Sequence, residues 1–184
     1  MSEFKKNWSA EVLREAPMIA PARQFVYPQV VPGEEDAMAR GALLLMVRPA
    51  GTAPFLATCA RGFADERTVT GVYACPNTDE FCAVAGGYAY IVNAASPAGC
   101  TQIELRPVVS VLPVVEAGLL LFVGHTAVVA WSASGKAWTT VKLSDEGLRI
   151  TSTDDGVLRG FGWRMMTDRE VEFAVDLKDG SLRE

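Results

Sequence analysis

The sequence predicts an all-β protein made of antiparallel meanders, about four blade-like, propeller-like units preceded by a short N-terminal helix. Two observations carry this. From Gly41 onward the chain runs as short apolar stretches rich in Val, Leu, Ala and aromatics, cut by Gly, Pro, Asn and Asp, and no later segment sustains helical spacing. The chain also falls on itself at a shift of about 38 residues, close to the length of a propeller blade. A two-sheet β-sandwich without real repeats is the alternative.

The repeat is clearest where FCAVAGGYAYIVNAASPAGCTQI, from Phe81, falls without a gap on LLLFVGHTAVVAWSASGKAWTTV, from Leu119. Gly86 then meets Gly124, Ala89 meets Ala127, Ser96 meets Ser134 and Thr101 meets Thr139. One shift back, LLLMV begins at Leu43; one shift forward, VLRGFG begins at Val157 and sets Gly162 under Gly124. GVYACP, VVSVLP and GLRITS take the outer-strand position at successive shifts. The corners Gly86-Gly87-Tyr88, Gly124-His125-Thr126 and Gly162-Trp163-Arg164 are therefore expected at one end of their sheets.

Ahead of the repeat, WSAEVLREA at 8–16 reads as the helix. Ser9 is placed to cap it, Trp8, Val12 and Ala16 share a face, and Pro17 blocks continuation. Pro17, Pro21, Pro28 and Pro32 follow too closely for helix. Residues 1–40 are thus expected to pack, as helix and Pro-rich segment, on a single domain spanning 1–184. A chain of 184 residues buries about 70% of its unfolded surface without staples.

Composition narrows the function classes. Hydrophobic residues at 49% and charged residues at 21% describe a folded chain, and a net charge of −5 disfavours nucleic acid. No basic stripe hides locally, because the arginines and lysines after residue 158 alternate with acids. The run from Pro107 to Trp131 is the most apolar, but two prolines, two glycines, Glu116 and His125 interrupt the ~20 residues a membrane helix needs. The start, MSEFKKNWSAEVLREAP, lacks the apolar core of a secretory signal, so a cytoplasmic location with free thiols is expected.

Between Phe81 and Gly135 the only charges are Glu104, Arg106 and Glu116. Half-exposed strands would alternate polar with apolar, so the middle units read as covered on both faces. Either the outer sheets of a stack supply that cover or a second chain does; the second case predicts a homodimer.

CPNTDEFC, at 75–82, resembles a metal clip, but the repeat reads it otherwise. Cys82 falls on Leu44 and Leu120, Cys100 on Trp138 and Cys75 on Pro113, so these cysteines occupy core positions. The spacings lack the short pairs of zinc sites and only one histidine is present, so no metal site is expected. No phosphate loop exists either, since Gly86-Gly87 opens no helix, and no cofactor is expected.

Any Ser-His or Cys-His mechanism must run through His125, yet no nucleophile elbow accompanies it. The most individual stretch is GFGWRMMTDREVEFAVDLKDG at 160–180, where WRMMTDRE joins an aromatic, two thioethers and a fork of charges. His125, Trp163, Arg164, Asp168, Arg169 and Glu170 are the candidate binding residues, and no catalytic set is assigned. Trp131 and Trp138 read as core or interface.

LSDEGLRI, GFGW and TDREVEFAVDLKDG resemble the C-terminal part of a group of small, uncharacterised, mainly bacterial all-β proteins. The upstream GVYACP, AVAGGYAYIV and GLLLFVG share the pattern, over about residues 68 to 180. The resemblance implies no activity, cofactor or site residue. The expected function is a non-catalytic binding or protein-interaction module whose partner is a protein or small molecule. The rival is a small hydrolase using carboxylates or His125 in a cleft.

Overall fold

Fifteen strands, described in a computed structural model covering residues 3–28, 37–65 and 68–183, form four separate sheets that follow one another along the chain. The first contains β1 (Trp8–Leu13), β2 (Gln24–Tyr27), β3 (Ala42–Pro49) and β4 (Phe55–Ala60), ordered β1-β3-β4-β2. The second is the meander β5 (Gly71–Ala74), β6 (Glu80–Ala85), β7 (Tyr88–Asn93) and β8 (Thr101–Gln102). The third repeats it with β9 (Ser110–Val114), β10 (Leu119–Val123), β11 (Val128–Ser132) and β12 (Gly135–Thr139). The fourth holds β13 (Leu148–Ser152), β14 (Val157–Arg164) and β15 (Arg169–Asp176). Every pairing is antiparallel except β2 with β4.

The core lies between consecutive sheets. Leu43, Leu45, Val47 and Phe55 of the first sheet meet Phe81, Ala83, Ala85 and Tyr90 of the second. Cys82, Val84, Ala89 and Ile91, from the other face of that second sheet, meet Leu120, Phe122, Val129 and Trp131 of the third. Leu119, Leu121, Val123 and Val128 then meet Leu158, Phe173 and Val175 of the fourth. Successive residues of β6 and β10 therefore enter different cores, which is why β10 is apolar at every position and β6 at every position after Glu80.

Side-chain donors tie the layers. The Tyr90 hydroxyl donates to the Ala60 carbonyl at 2.8 Å, and the Trp138 indole N–H to the Leu177 carbonyl at 2.9 Å. Glu80 joins three sheets: its backbone carbonyl accepts the Trp8 indole N–H at 3.0 Å, and its carboxylate accepts that of Trp131 at 3.1 Å.

The repeated glycines mark where the chain crosses from one sheet to the next. A methyl on Gly86 would overlap the Phe63 carbonyl, one on Gly124 the Leu105 side chain, and one on Gly162 the Leu143 carbonyl. Each crossing segment leads out of the preceding sheet and meets the glycine at or near the end of the second strand of the sheet it enters. The spacing of about 38 residues thus recurs where a crossing segment packs closely on a glycine, through backbone at Gly86 and Gly162 and through the Leu105 side chain at Gly124.

Several expectations are corrected. No propeller forms: none of the sheets is closed or strongly curled, and among the described residues no core cluster joins the first sheet to the fourth. The two-sheet sandwich fails as well, because there are four sheets. Closure would bury the outward faces of the end sheets, and these carry ion pairs instead, Glu11 with Arg48 and Arg149 with Glu170.

The N-terminal helix is a strand. Residues 8 to 13 pair with 44 to 49 on the edge of the first sheet, and Trp8 is buried with its ring 5.5 Å from Phe81. A nine-residue helix is marginal alone, whereas the β3 edge satisfies a row of backbone groups and the core receives the indole. Of the Pro-rich stretch, Pro17, Pro21 and Pro28 are described, and Pro32 lies outside the described residues.

The third corner also differs. Gly86-Gly87 and Gly124-His125 stand at the β6–β7 and β10–β11 reversals, but Gly162-Trp163-Arg164 lies within β14, whose reversal comes at 165–168. The apolar run 107–131 holds β9, β10 and most of β11 with the turns between them, and no described helix is long and apolar enough to cross a membrane. The middle strands find their cover within the chain, which removes the observation on which a homodimer was expected.

Gly162→Ala is expected to cost about 1–3 kcal/mol, because the crossing backbone at Leu143 must shift to admit a methyl. Gly99→Ala, in open space, is expected to be near neutral. Urea denaturation midpoints compare the two, and equal midpoints would remove the crossing as the reason for the repeat.

Candidate functional site

The fourth sheet buries one face against the third and turns the other outward. Along β14 the alternation sends Leu158 inward and sets Phe161 and Trp163 side by side on the outer face, both half-buried. Arg149 of β13 stands opposite Phe161, and Glu170 of β15 stands opposite Trp163. The Arg149 guanidinium lies 4.5 Å from the Phe161 ring centre and 2.9 Å from the Glu170 carboxylate. With Glu146 and Leu148 these side chains line an open groove of about 470 Å³.

Ser144 and Asp145 hold the groove in shape. The fully buried Ser144 hydroxyl oxygen accepts the Trp163 backbone N–H at 2.8 Å and the Glu146 N–H at 3.2 Å, and donates to the Gly147 carbonyl at 2.6 Å. The Asp145 N–H donates to the Trp163 carbonyl at 2.8 Å. The Asp145 carboxylate accepts from Lys142 Nζ at 2.7 Å and from the Met165 N–H at 3.0 Å. Lys142 chiefly, then the Met165 N–H, holds its carboxyl below the usual range.

The predicted site residues divide. Trp163 and Glu170 converge in the groove. Arg164 turns instead into a second groove of about 480 Å³, with Leu143, Val171, Glu172 and Leu182. Asp168 sits in the β14–β15 reversal at φ 51, where short polar side chains are tolerated, and Arg169 is exposed at the start of β15. His125 lies in the exposed β10–β11 reversal, on another sheet, and has no side-chain hydrogen bond or ion pair among the described residues. Arg149, Phe161 and the Ser144-Asp145 pair were missed. A Ser-Asp pair before a glycine signals a turn, but only strand register shows which side chains it serves.

The remaining candidates are core. Trp131 and Trp138 are buried. Cys59, Cys75 and Cys82 are buried and Cys100 is half-buried, and burial raises all four thiols. CPNTDEFC is the β5–β6 turn, closed by the Glu80 N–H on the Asn77 carbonyl and the Asp79 N–H on the Asn77 side chain. Among the described residues no three His, Cys, Asp or Glu side chains gather as a metal set. Glu116 and Asp154 line a groove of about 380 Å³ between β9 and β13, but both are exposed and no hydrogen bond joins them. No family model matches the chain, and no curated protein resembles it in sequence.

Ellman titration of the native protein is expected to modify at most Cys100 rapidly, and denaturation to expose all four thiols. Zinc at one equivalent in the purified protein would overturn this. Asp145 is held below its unfolded value, so its stabilisation is complete above about pH 4 and is lost as pH falls through the lowered folded value. Asp145→Asn is expected to remove that acid-dependent component and to speed exchange of the Met165 amide at neutral pH. An unchanged acid limb in stability measurements would show that the carboxylate does not hold the turn.

Proposed function

We propose that this chain is a non-catalytic binding module that takes its ligand on the outward face of the fourth sheet. The supporting observation is the Phe161–Trp163 pair, held half-exposed on rigid strands and bordered by the Arg149–Glu170 ion pair. Two adjacent rings offer apolar area with little conformational entropy to lose, and the flanking charges orient a polar group. A flat apolar side chain with a neighbouring polar or charged group fits this surface, as borne by a peptide or a small aromatic molecule.

The hydrolase reading has less support. It needs an acid, a base and a nucleophile within reach of one another, and His125 stands on a different sheet from Glu170 and Asp168.

Peptide and small-molecule libraries screened against the intact protein test the proposal. Trp163→Ala and Phe161→Ala are each expected to weaken a selected ligand by about tenfold or more while the fold survives. Ligands indifferent to both substitutions would overturn it. So would turnover of ester, phosphate or glycoside substrates that His125→Ala abolishes.

A further inference from the structure

Among the described residues the fourth sheet is one strand short of the others. The other three each have four strands, whereas the edge of β15 meets only an isolated bridge from Leu182 to Val175. The Arg183 N–H donates to the Ala174 carbonyl at 2.8 Å, and the Asp176 N–H to the Ser181 carbonyl at 2.8 Å. Even-numbered residues of β15 therefore turn their backbone groups to this edge, while odd-numbered ones bond β14. Stepping back by two, the N–H and C=O of Glu172 and Glu170 also face the edge. Among the described residues no strand pairs with them.

The second groove runs along residues 171–174, closed at one end by Leu182 and floored by the buried Leu143. Val171 is 44% and Leu182 50% exposed on its inward side. On the outward side stand the carboxylates of Glu170 and Glu172, and Glu172 has no ion pair among the described residues. Exposed edges of this kind template pairing with another chain.

A second copy is a poor occupant. Antiparallel self-pairing centred on Val171 sets Glu170 against Glu172. Centred on either glutamate, it sets that residue against itself. Like charges directly opposite destabilise each such register.

We propose that the β15 edge takes an extended segment of another polypeptide as the fourth strand of this sheet, with alternating basic and apolar residues. Its basic side chains face Glu170 and Glu172, and its apolar side chains enter the groove against Val171, Leu182 and Leu143. Arg164 and Arg183 line the groove, the latter paired with Asp176, which confines the basic residues to the positions facing the two glutamates. Backbone bonds to residues 170 and 172 supply affinity, and the alternation supplies specificity. This site borders the Phe161–Trp163 face and shares Glu170 with it, where that carboxylate already pairs with Arg149, but its backbone bonds and its inward groove do not involve the two rings.

The test titrates the ¹⁵N-labelled intact protein with the probe peptide acetyl-Thr-Lys-Val-Lys-Val-Thr-amide and its counterpart with Glu for Lys. The lysine peptide is expected to bind at least tenfold more tightly and to slow exchange of the Glu170 and Glu172 amides. Glu172→Lys is expected to reverse the preference. Glu172→Pro is expected to abolish binding yet keep the fold, because that N–H serves only the edge. Trp163→Ala is expected to leave peptide binding unchanged, so failure here is separable from failure of the aromatic face. Equal binding of the two peptides, no protection at 170 and 172, or loss of binding in Trp163→Ala would each overturn the proposal. Protection that appears with rising protein concentration alone would do so in favour of a second copy.

Discussion

The burial of both faces of the two middle sheets is the constraint on which the rest of this structure depends. A sheet covered on one side alternates apolar with polar; the second and third sheets have apolar residues on both. Burying a Leu or Phe side chain is worth about 1.5–3 kcal/mol, and β10 alone contributes five buried apolar residues, LLLFV, to two different cores. Neither middle sheet satisfies this without a neighbour on each side. Stacking is thus the condition under which the middle strands exist at all.

Stacking in turn constrains the connections. Each crossing segment passes over the second long strand of the sheet it enters, close enough that Gly86, Gly124 and Gly162 have no room for a side chain. Polar groups caught at these boundaries are paired across layers, as Tyr90 is with Ala60, Trp138 with Leu177, and Glu80 with both Trp8 and Trp131. The same dry boundaries hold the cysteines, which accounts for their raised thiol values without any chemistry of their own.

The ends of the stack are where the molecule meets solvent, and they are unlike each other. The first sheet is completed by the N-terminal segment, which adds β1 on one edge and the parallel β2 on the other. The fourth sheet has two eight-residue strands, a stretch of edge that no described strand pairs, and two aromatics on its outer face. Both proposed surfaces lie on the fourth sheet, and it is an end of the stack: its neighbour covers one face and leaves the other open.

The sequence by itself determined the β class, the spacing of the units, the core role of Cys75 and Cys82 and the double-sided burial of the middle strands. Each of these is written in local periodicity or in which residue types exchange at one repeat position, as Cys82 does with Leu44 and Leu120. Part of the proposed site was legible the same way, since Trp163 and Glu170 stood out in an otherwise regular repeat. Only the tertiary structure decided that the stack stays open, that residues 8–13 form a strand, and that Arg149 and Phe161 complete the groove while His125 lies elsewhere. Closure, edge pairing and convergence across strands depend on register and on contacts between residues far apart in sequence. Trp8 becomes a strand residue because Phe81 and the Glu80 carbonyl receive its indole, and nothing within WSAEVLREA carries that information.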